Sequence, residues 1–397
     1  MKSLRWLLLL ALAASPAWSV PNKQISVQEL KTLLLSLKDS KKSDPDTATE
    51  LKKIELSEEL TPAAMSALFP LASGPLATEQ IDVLEAKSSL LPPPAAEIPT
   101  APAPDAAAQQ ALLAKASEYV SHTYSQLPHL TATRLTARFQ DNVEAIHTYT
   151  GANHNLSAND DPLWDQTSLY VRLFKTRTDP VESENGQEKP IATKEKVNWG
   201  PNNMTASLGQ PLTLATIIQE ATTVGSPHFL RWEIINRRQV AVFAFNVDKK
   251  QTHFAIDYCC FPNTDTAGMI NYTGATDVST GGGATGSNFQ TFSEWKPFKA
   301  ATGYSGELFL DSATGIVLRT ITEADFKPRD FVHFEKIRTD YGAMPIGGKT
   351  LVVPIRTFTL AEVVPNGDSF AAKYAVRHSY ITQDYKGYQL AGGAALK

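Results

Sequence analysis

The chain has 397 residues, with 37 Lys plus Arg against 41 Asp plus Glu and a net charge of −4. That near-balance, with no clustered basic face, excludes a protein built to bind nucleic acid. The only cysteines, Cys259 and Cys260, are neighbours. In a strand such neighbours point to opposite faces, which opposes a bond between them, and two cysteines cannot make a closed four-ligand structural zinc site.

Lys2 and Arg5 precede an uncharged apolar run, Trp6–Ala14, and Ser15-Pro16 then breaks it before Ala17-Trp18-Ser19. This pattern predicts a signal peptide over 1–19, cut before Val20. The run is too short for a permanent anchor, which takes about 20 residues. No later stretch is apolar enough to span a bilayer, so the expected protein is exported, to the periplasm or beyond the cell. Residues 20–91 read as a small all-α module. Ser26 with Glu29 has capping-box spacing, and Val27, Leu30, Leu33, Leu34 and Leu37 follow at helical spacing. A second helix is predicted over Thr47–Ile54. A third starts at Ser57 or at Thr61-Pro62, and a fourth covers Thr78–Leu90. Residues 92–105 hold six prolines among alanines and read as an extended linker. Asp105 then caps a predicted helix over Ala106–Ser125, with Leu112, Leu113, Ala116, Tyr119, Val120 and Tyr124 in one stripe.

From there strands dominate. Leu130–Asn142 alternates, with Arg134, Thr136 and Arg138 on one face and Leu135, Ala137 and Phe139 on the other, as in a half-buried antiparallel strand. Further strands are predicted at 167–176, 193–199, 239–247, 252–261, 304–310, 315–322, 332–341, 350–361 and 370–383, with one helix, Pro211–Thr223, between them. Residues 262–291 are rich in Thr, Gly, Asn and Ser and read as a long insertion, either a plain loop or a lid. Between Gly306 and Arg356 two hairpins turn on Gly315 and on Gly347-Gly348, and Gly315 is expected at positive φ after Asp311. Glu307, Asp311, Arg319, Asp340 and Arg356 are placed to pair across these strands. The fold class is α+β: a curved antiparallel sheet or half-open β-barrel covered by helices, preceded by the small all-α module. The 106–397 span forms the β domain.

No catalytic motif is present. There is no G-x-S-x-G, and Ser305 leads into a strand where a nucleophile elbow leads into a helix. H-E-x-x-H and P-loop patterns are missing as well. His147, His154, Asp160 and Asp161 form the best polar cluster, but their spacing fits an ordinary loop as well as a metal site. His122, His129, His228, His253, His333 and His378 stand singly. No catalytic residue, metal ligand or cofactor is assigned.

The run Glu307-Leu-Phe-Leu-Asp311, Thr314-Gly315 and Arg319 is followed by Asp340-Tyr341-Gly342, Ile346-Gly347-Gly348-Lys349 and Val353-Pro354. This series resembles the C-terminal part of the outer-membrane lipoprotein-sorting proteins, the LolA/LolB-like fold, and in architecture the likeness runs over 106–390. The chain also resembles uncharacterised exported bacterial proteins with the same helical module, linker and β domain. The resemblance implies a half-open barrel with an apolar concave face that accepts acyl chains, covered by the 106–125 and 211–223 helices. The lining would come from Leu135, Phe139, Phe243, Phe245, Phe254, Leu308, Leu310, Val317 and Ile355. The same residues equally make the core of any β domain. The added N-terminal module and the 262–291 insertion depart from the family. Three readings follow: a non-enzymatic protein binding a lipid or other apolar ligand, an envelope interaction protein with a solid barrel and a protein partner, and a metal-assisted hydrolase on the 147–161 loop.

Overall fold

The computed structural model describes residues 23–124, 127–141, 171–184, 186–190, 203–207, 213–262, 295–327, 330, 332–363 and 378–393. The predicted leader, the predicted strand 193–199, the His147–Asp161 cluster and residues 263–291 of the predicted insertion lie outside them.

The N-terminal segment runs β1 (Lys23–Ile25), α1 (Val27–Asp39), α2 (Asp44–Leu51), β2 (Ile54–Leu56), α3 (Pro62–Leu68) and α4 (Pro75–Ser88). Ser26 and Glu29 form the reciprocal capping box at the start of α1, and Ser43 and Thr61 cap α2 and α3. The segment is not all-α. Ile54, expected at the end of a helix, pairs with Lys23 in a two-stranded parallel sheet. Buried Ile54 and Leu56 flank exposed Glu55, a two-residue alternation too short to stand out in sequence. Helix α4 starts three residues before its predicted start because the Asp44 carboxylate accepts from the Leu76 and Ala77 amides at 2.9 and 2.8 Å, satisfying donors that a helix N-terminus leaves open. Leu30, Leu34, Leu51, Ile54, Leu68, Ile81 and Leu84 form an apolar cluster of their own.

Asp105 caps α5 (Ala106–His122). The strands that follow are β3 (Leu130–Gln140), β4 (Arg172–Glu184), β5 (Gln187–Pro190), β6 (Asn203–Ser207), β7 (His228–Ile235), β8 (Arg238–Val247), β9 (Ala255–Pro262), β10 (Trp295–Ala301), β11 (Tyr304–Asp311), β12 (Val317–Ala324), β13 (Val332–Ile346), β14 (Lys349–Val363) and β15 (His378–Leu390), with α6 (Leu214–Thr223) between β6 and β7. Ten of them form one antiparallel sheet in the order β5-β4-β3-β15-β14-β13-β12-β11-β8-β7. The sheet stays open, with β5 and β7 as its edges. The remaining strands form a small sheet, β10-β9-β6, which places Cys259 and Cys260 on its middle strand. The protein is therefore α+β, with an open antiparallel sheet as its main layer.

The predicted hairpin chemistry is present. Gly315 has φ +73°, and Asp311 Oδ1 accepts from the Ala313 and Thr314 amides at 3.0 and 2.9 Å. A Cβ on Gly315 would lie 2.5 Å from Lys115 Cβ of α5, so the turn is pressed against that helix. Gly347 and Gly348 also have positive φ. Strands β5, β6, β7 and β10 were not predicted. The β7–β8 turn uses Asn236 and Arg237 at positive φ, so no glycine announces it.

The two faces of the main sheet are covered differently. Helices α5 and α6 pack on the inner face, where Leu112, Ala116, Ile217 and Ile218 join the main core. On the outer face Val83 and Ala86 of α4 pack on Phe139 and Tyr380. Helix α4 is thus apolar on two sides, Ile81 and Leu84 toward its own segment and Val83 and Ala86 toward the sheet.

Candidate ligand site

The nine residues expected to line an apolar pocket separate into three groups. Phe243, Phe245, Phe254, Leu308, Leu310 and Val317 are all buried together in the main core under α5 and α6. Their rings and branches fill the space. Phe245 meets Tyr304 edge-on at 5.8 Å, Phe254 lies 5.1 Å from the same ring, and Phe243 meets Phe229 at 6.0 Å. Tyr304 is fixed in turn by a 2.7 Å hydrogen bond to Glu220 of α6. Ile355 is half-buried at a bulge, against Gly342.

Leu135 and Phe139 are on the other face, which corrects the predicted lining. Leu135 is 37% exposed, and Phe139 packs under α4 with Val83, Ala86 and Tyr380. β3 alternates as expected, but its two faces are reversed. Because α4 supplies a second apolar cover, the set Leu135, Ala137 and Phe139 turns outward, and Arg134, Thr136 and Arg138 turn inward. A strand with covers on both sides carries no mark of which cover is the main core.

The inner face beyond the filled half mixes polar and apolar side chains, and it holds a cleft of about 350 Å³. Ile337, Thr339 and Tyr341 of β13 line it, with Thr357 and Thr359 of β14 and Ile381, Gln383, Tyr385 and Tyr388 of β15. Leu130, Ala132 and Arg134 of β3 and Val181 of β4 complete one wall, and Tyr124, just past α5, closes over it. Register brings these residues together: Thr359 is opposite both Ile337 and Ile381, and Thr357 opposite both Thr339 and Gln383. Tyr388 donates to the Pro354 carbonyl at 2.7 Å. Tyr124 is fully buried, and burial first, with neighbouring tyrosines, raises its pKa well above the ordinary value. Its ring lies so close to Gly186 that a Cβ there would come within 2.3 Å. Arg134 reaches Glu188, which fixes the one guanidinium at the rim. The site offers four phenol groups, a run of threonines and an arginine beside aliphatic side chains. That chemistry binds a molecule with both apolar and hydrogen-bonding parts.

One rung beyond Arg134, Thr136 and then Arg138 continue inward. Arg138 is 1% exposed, lies 5.6 Å over the Phe174 ring, and has its pKa lowered by burial to about 10. None of the nine predicted lining residues borders the cleft. Of the polar β3 set Arg134, Thr136 and Arg138, Arg134 borders the cleft and the other two do not, so the sequence carries little signal for it.

The outer face carries the predicted charges, and they pair. Arg319, Asp340, Arg356 and Asp384 stand in one cross-strand row over β12, β13, β14 and β15. Arg319 meets Asp340 at 2.6 Å, and Arg338 meets it at 2.7 Å. The N-terminal segment completes the array. Glu59 reaches Arg338 at 2.6 Å and Arg319 at 3.4 Å. Glu85 of α4 takes Arg356 in a two-bond fork at 2.6 and 2.8 Å. Arg338 and Arg356 also lie 5.1 and 4.6 Å over the ring of Phe358. Burial alone would raise the Asp340 pKa, but Arg319 and Arg338 overcome it and hold this carboxyl far below the usual range.

No family model matches the chain, and no curated protein matches it. A solved LolA superfamily protein from Nitrosomonas europaea is similar at 11% identity over 71% of this chain and 92% of its own, with a TM-score of 0.22. A likeness of that strength carries no weight for the activity of this chain.

Proposed function

We propose that this chain is a non-enzymatic, exported envelope protein that holds a small amphiphilic ligand in the cleft on the inner face of its open sheet. One observation carries the reading: the apolar half of that face is filled, while the tyrosine- and threonine-lined half leaves about 350 Å³ free. That volume falls at the lower end of the range for small-molecule sites, about 300–1,000 Å³. A ligand with one short apolar stem and a hydrogen-bonding end fits; a bundle of long acyl chains does not. Export rests on the leader pattern at 1–19.

Native mass spectrometry of the full chain, purified without detergent from an envelope fraction, tests this. The expected spectrum shows one bound small molecule per chain. Thr359→Trp and Ile337→Trp, which place an indole in the cleft, should each remove it without loss of fold by circular dichroism. A ligand-free wild-type protein that also takes up no added amphiphile would overturn the reading. It would favour instead an envelope scaffold, the alternative that the solid apolar half of the sheet supports.

A further inference from the structure

The charges of the cleft are already balanced within the chain. Among the described residues that line it, only Arg134 and Glu188 carry charged side chains, and they pair with each other. Asp179, 3.7 Å from Arg134, is taken by Arg177. The two cations and two carboxylates at this rim therefore cancel. Burial first, then Glu188, push the Tyr385 phenol well above its ordinary range, and burial does the same to Tyr341 and Tyr388. The phenols of the lining thus stay protonated and neutral. Arg138 is opposite Ile381 in register, and Glu335 is two residues from Ile337, but neither borders the cleft.

A charged head entering such a site loses its water and finds both charged lining groups already paired. That desolvation costs several kcal/mol per ion. A hydroxyl or amide loses far less, and regains it with each hydrogen bond it makes. What the cleft offers is of that neutral kind. Thr339, Thr357 and Gln383 form one cross-strand row, with Thr357 opposite both of the others. Strands stand about 4.8 Å apart, so three polar groups lie along about 10 Å. Each hydroxyl both donates and accepts, and so does the amide. The contacts among them are long: the Thr339 and Thr357 hydroxyls are 3.5 Å apart, and Tyr385 donates to Gln383 Oε1 at 3.4 Å. Such bonds are weak and readily exchanged for better ones. The next row, Ile337, Thr359 and Ile381, supplies the apolar part.

We infer that the polar end of the cleft's ligand is uncharged and bears at least two hydroxyl or amide groups, which bond to the Thr339, Thr357 and Gln383 row while the stem lies over Ile337 and Ile381. This rests on the cleft reading.

Isothermal titration of the full chain at pH 7 with octane-1,2-diol, octanol, octylamine and octanoate tests it. The diol should bind most tightly, octanol roughly fivefold more weakly for the hydrogen bond it lacks, and each ion at least about tenfold more weakly than the diol. Thr357→Val, which removes a hydroxyl at nearly constant shape, should erase the advantage of the diol over octanol. Glu188→Gln takes from Arg134 its carboxylate, so octanoate should gain on the diol by about tenfold. Ile337→Trp should abolish binding of all four. If none of the four binds to the wild-type chain, the cleft reading itself falls. If either ion binds as tightly as the diol, or octanol does, the inference of an uncharged hydroxylated head alone falls. An octanoate-to-diol ratio that Glu188→Gln leaves unmoved would also overturn it.

Discussion

On the outer face of β13, Arg338 meets Glu59 at 2.6 Å and Asp340 at 2.7 Å, and also donates to the Ser89 carbonyl at 2.7 Å. On the inner face of the same strand, three residues earlier, Glu335 is just as deeply buried and has no hydrogen-bond partner among the described residues. Both side chains carry ionisable groups in a low-dielectric place. They differ in what the fold supplies around them. The outer face is an interface within the molecule, where Arg319, Arg338 and Arg356 are each met by carboxylates of the N-terminal segment. The inner face holds the cleft, and beyond it Glu335 has no hydrogen-bond partner among the described residues. Charge that is buried and paired speaks for assembly of the fold. A carboxyl that is buried and unpaired costs the fold stability.

The sharpest way to break this comparison is to truncate one group on each face. Arg338→Ala leaves Glu59 and Asp340 buried with Arg319 alone to answer them, and removing one partner of a buried ion pair costs about 3–5 kcal/mol. The urea midpoint should fall by the corresponding amount, with cleavage in the 92–105 stretch becoming faster as the N-terminal segment loosens. Glu335→Leu should act in the opposite direction. It replaces an unpaired carboxyl by an apolar side chain of similar size and should raise the urea midpoint, by about 1 kcal/mol. A loss of stability at Glu335→Leu, comparable to that at Arg338→Ala, would mean that Glu335 is a structural group, and the contrast between the faces would collapse.

How much of this could be read from sequence follows the range of the interaction. The capping box at Ser26 and Glu29, the Asp105 cap and the turn at Gly315 are set by neighbours within a few residues, and the chain shows them where their residue types predicted. The β7–β8 hairpin escaped because Asn236 and Arg237 make its turn at positive φ without a glycine. The face assignment of β3 failed for a longer-range reason: Phe139 is apolar because Val83 and Ala86 cover it, and nothing near Phe139 in the sequence says so. The same holds for Glu59, which is 279 residues from Arg338. The cleft was hidden for that cause too. Its walls come from distant stretches, Tyr124 with β3 and β4 on one side and β13 to β15 on the other, and only the sheet order places β3 beside β15.

The smallest expected effect sharpens the outer-face half of the comparison. Around Arg319, Arg338 and Arg356 stand Glu59, Glu85, Asp340, Asp384 and Asp82, so the acids outnumber the arginines. Asp82 is left with the least compensation. Burial first, then the nearby Glu85, raise its pKa to about 6, with Arg356 opposing and Glu79 and Asp384 adding to the rise. The unfolded chain releases this proton near pH 4, so between about pH 4 and 6 the folded state binds the extra proton. Stability from this group is therefore present at the acid end of that window and lost as pH rises through 6. His378, whose pKa is raised mainly by its hydrogen bond to Asp141, has the same sign and loses its contribution as pH rises past its folded value. Asp82→Asn isolates the carboxyl from that background. The thermal midpoint of wild type should fall further between pH 5 and pH 8 than that of Asp82→Asn, by a few degrees at most because Asp82 is partly exposed to solvent. Parallel pH profiles would show that water already screens Asp82, and that the arginines of the outer face answer all the acids around them after all.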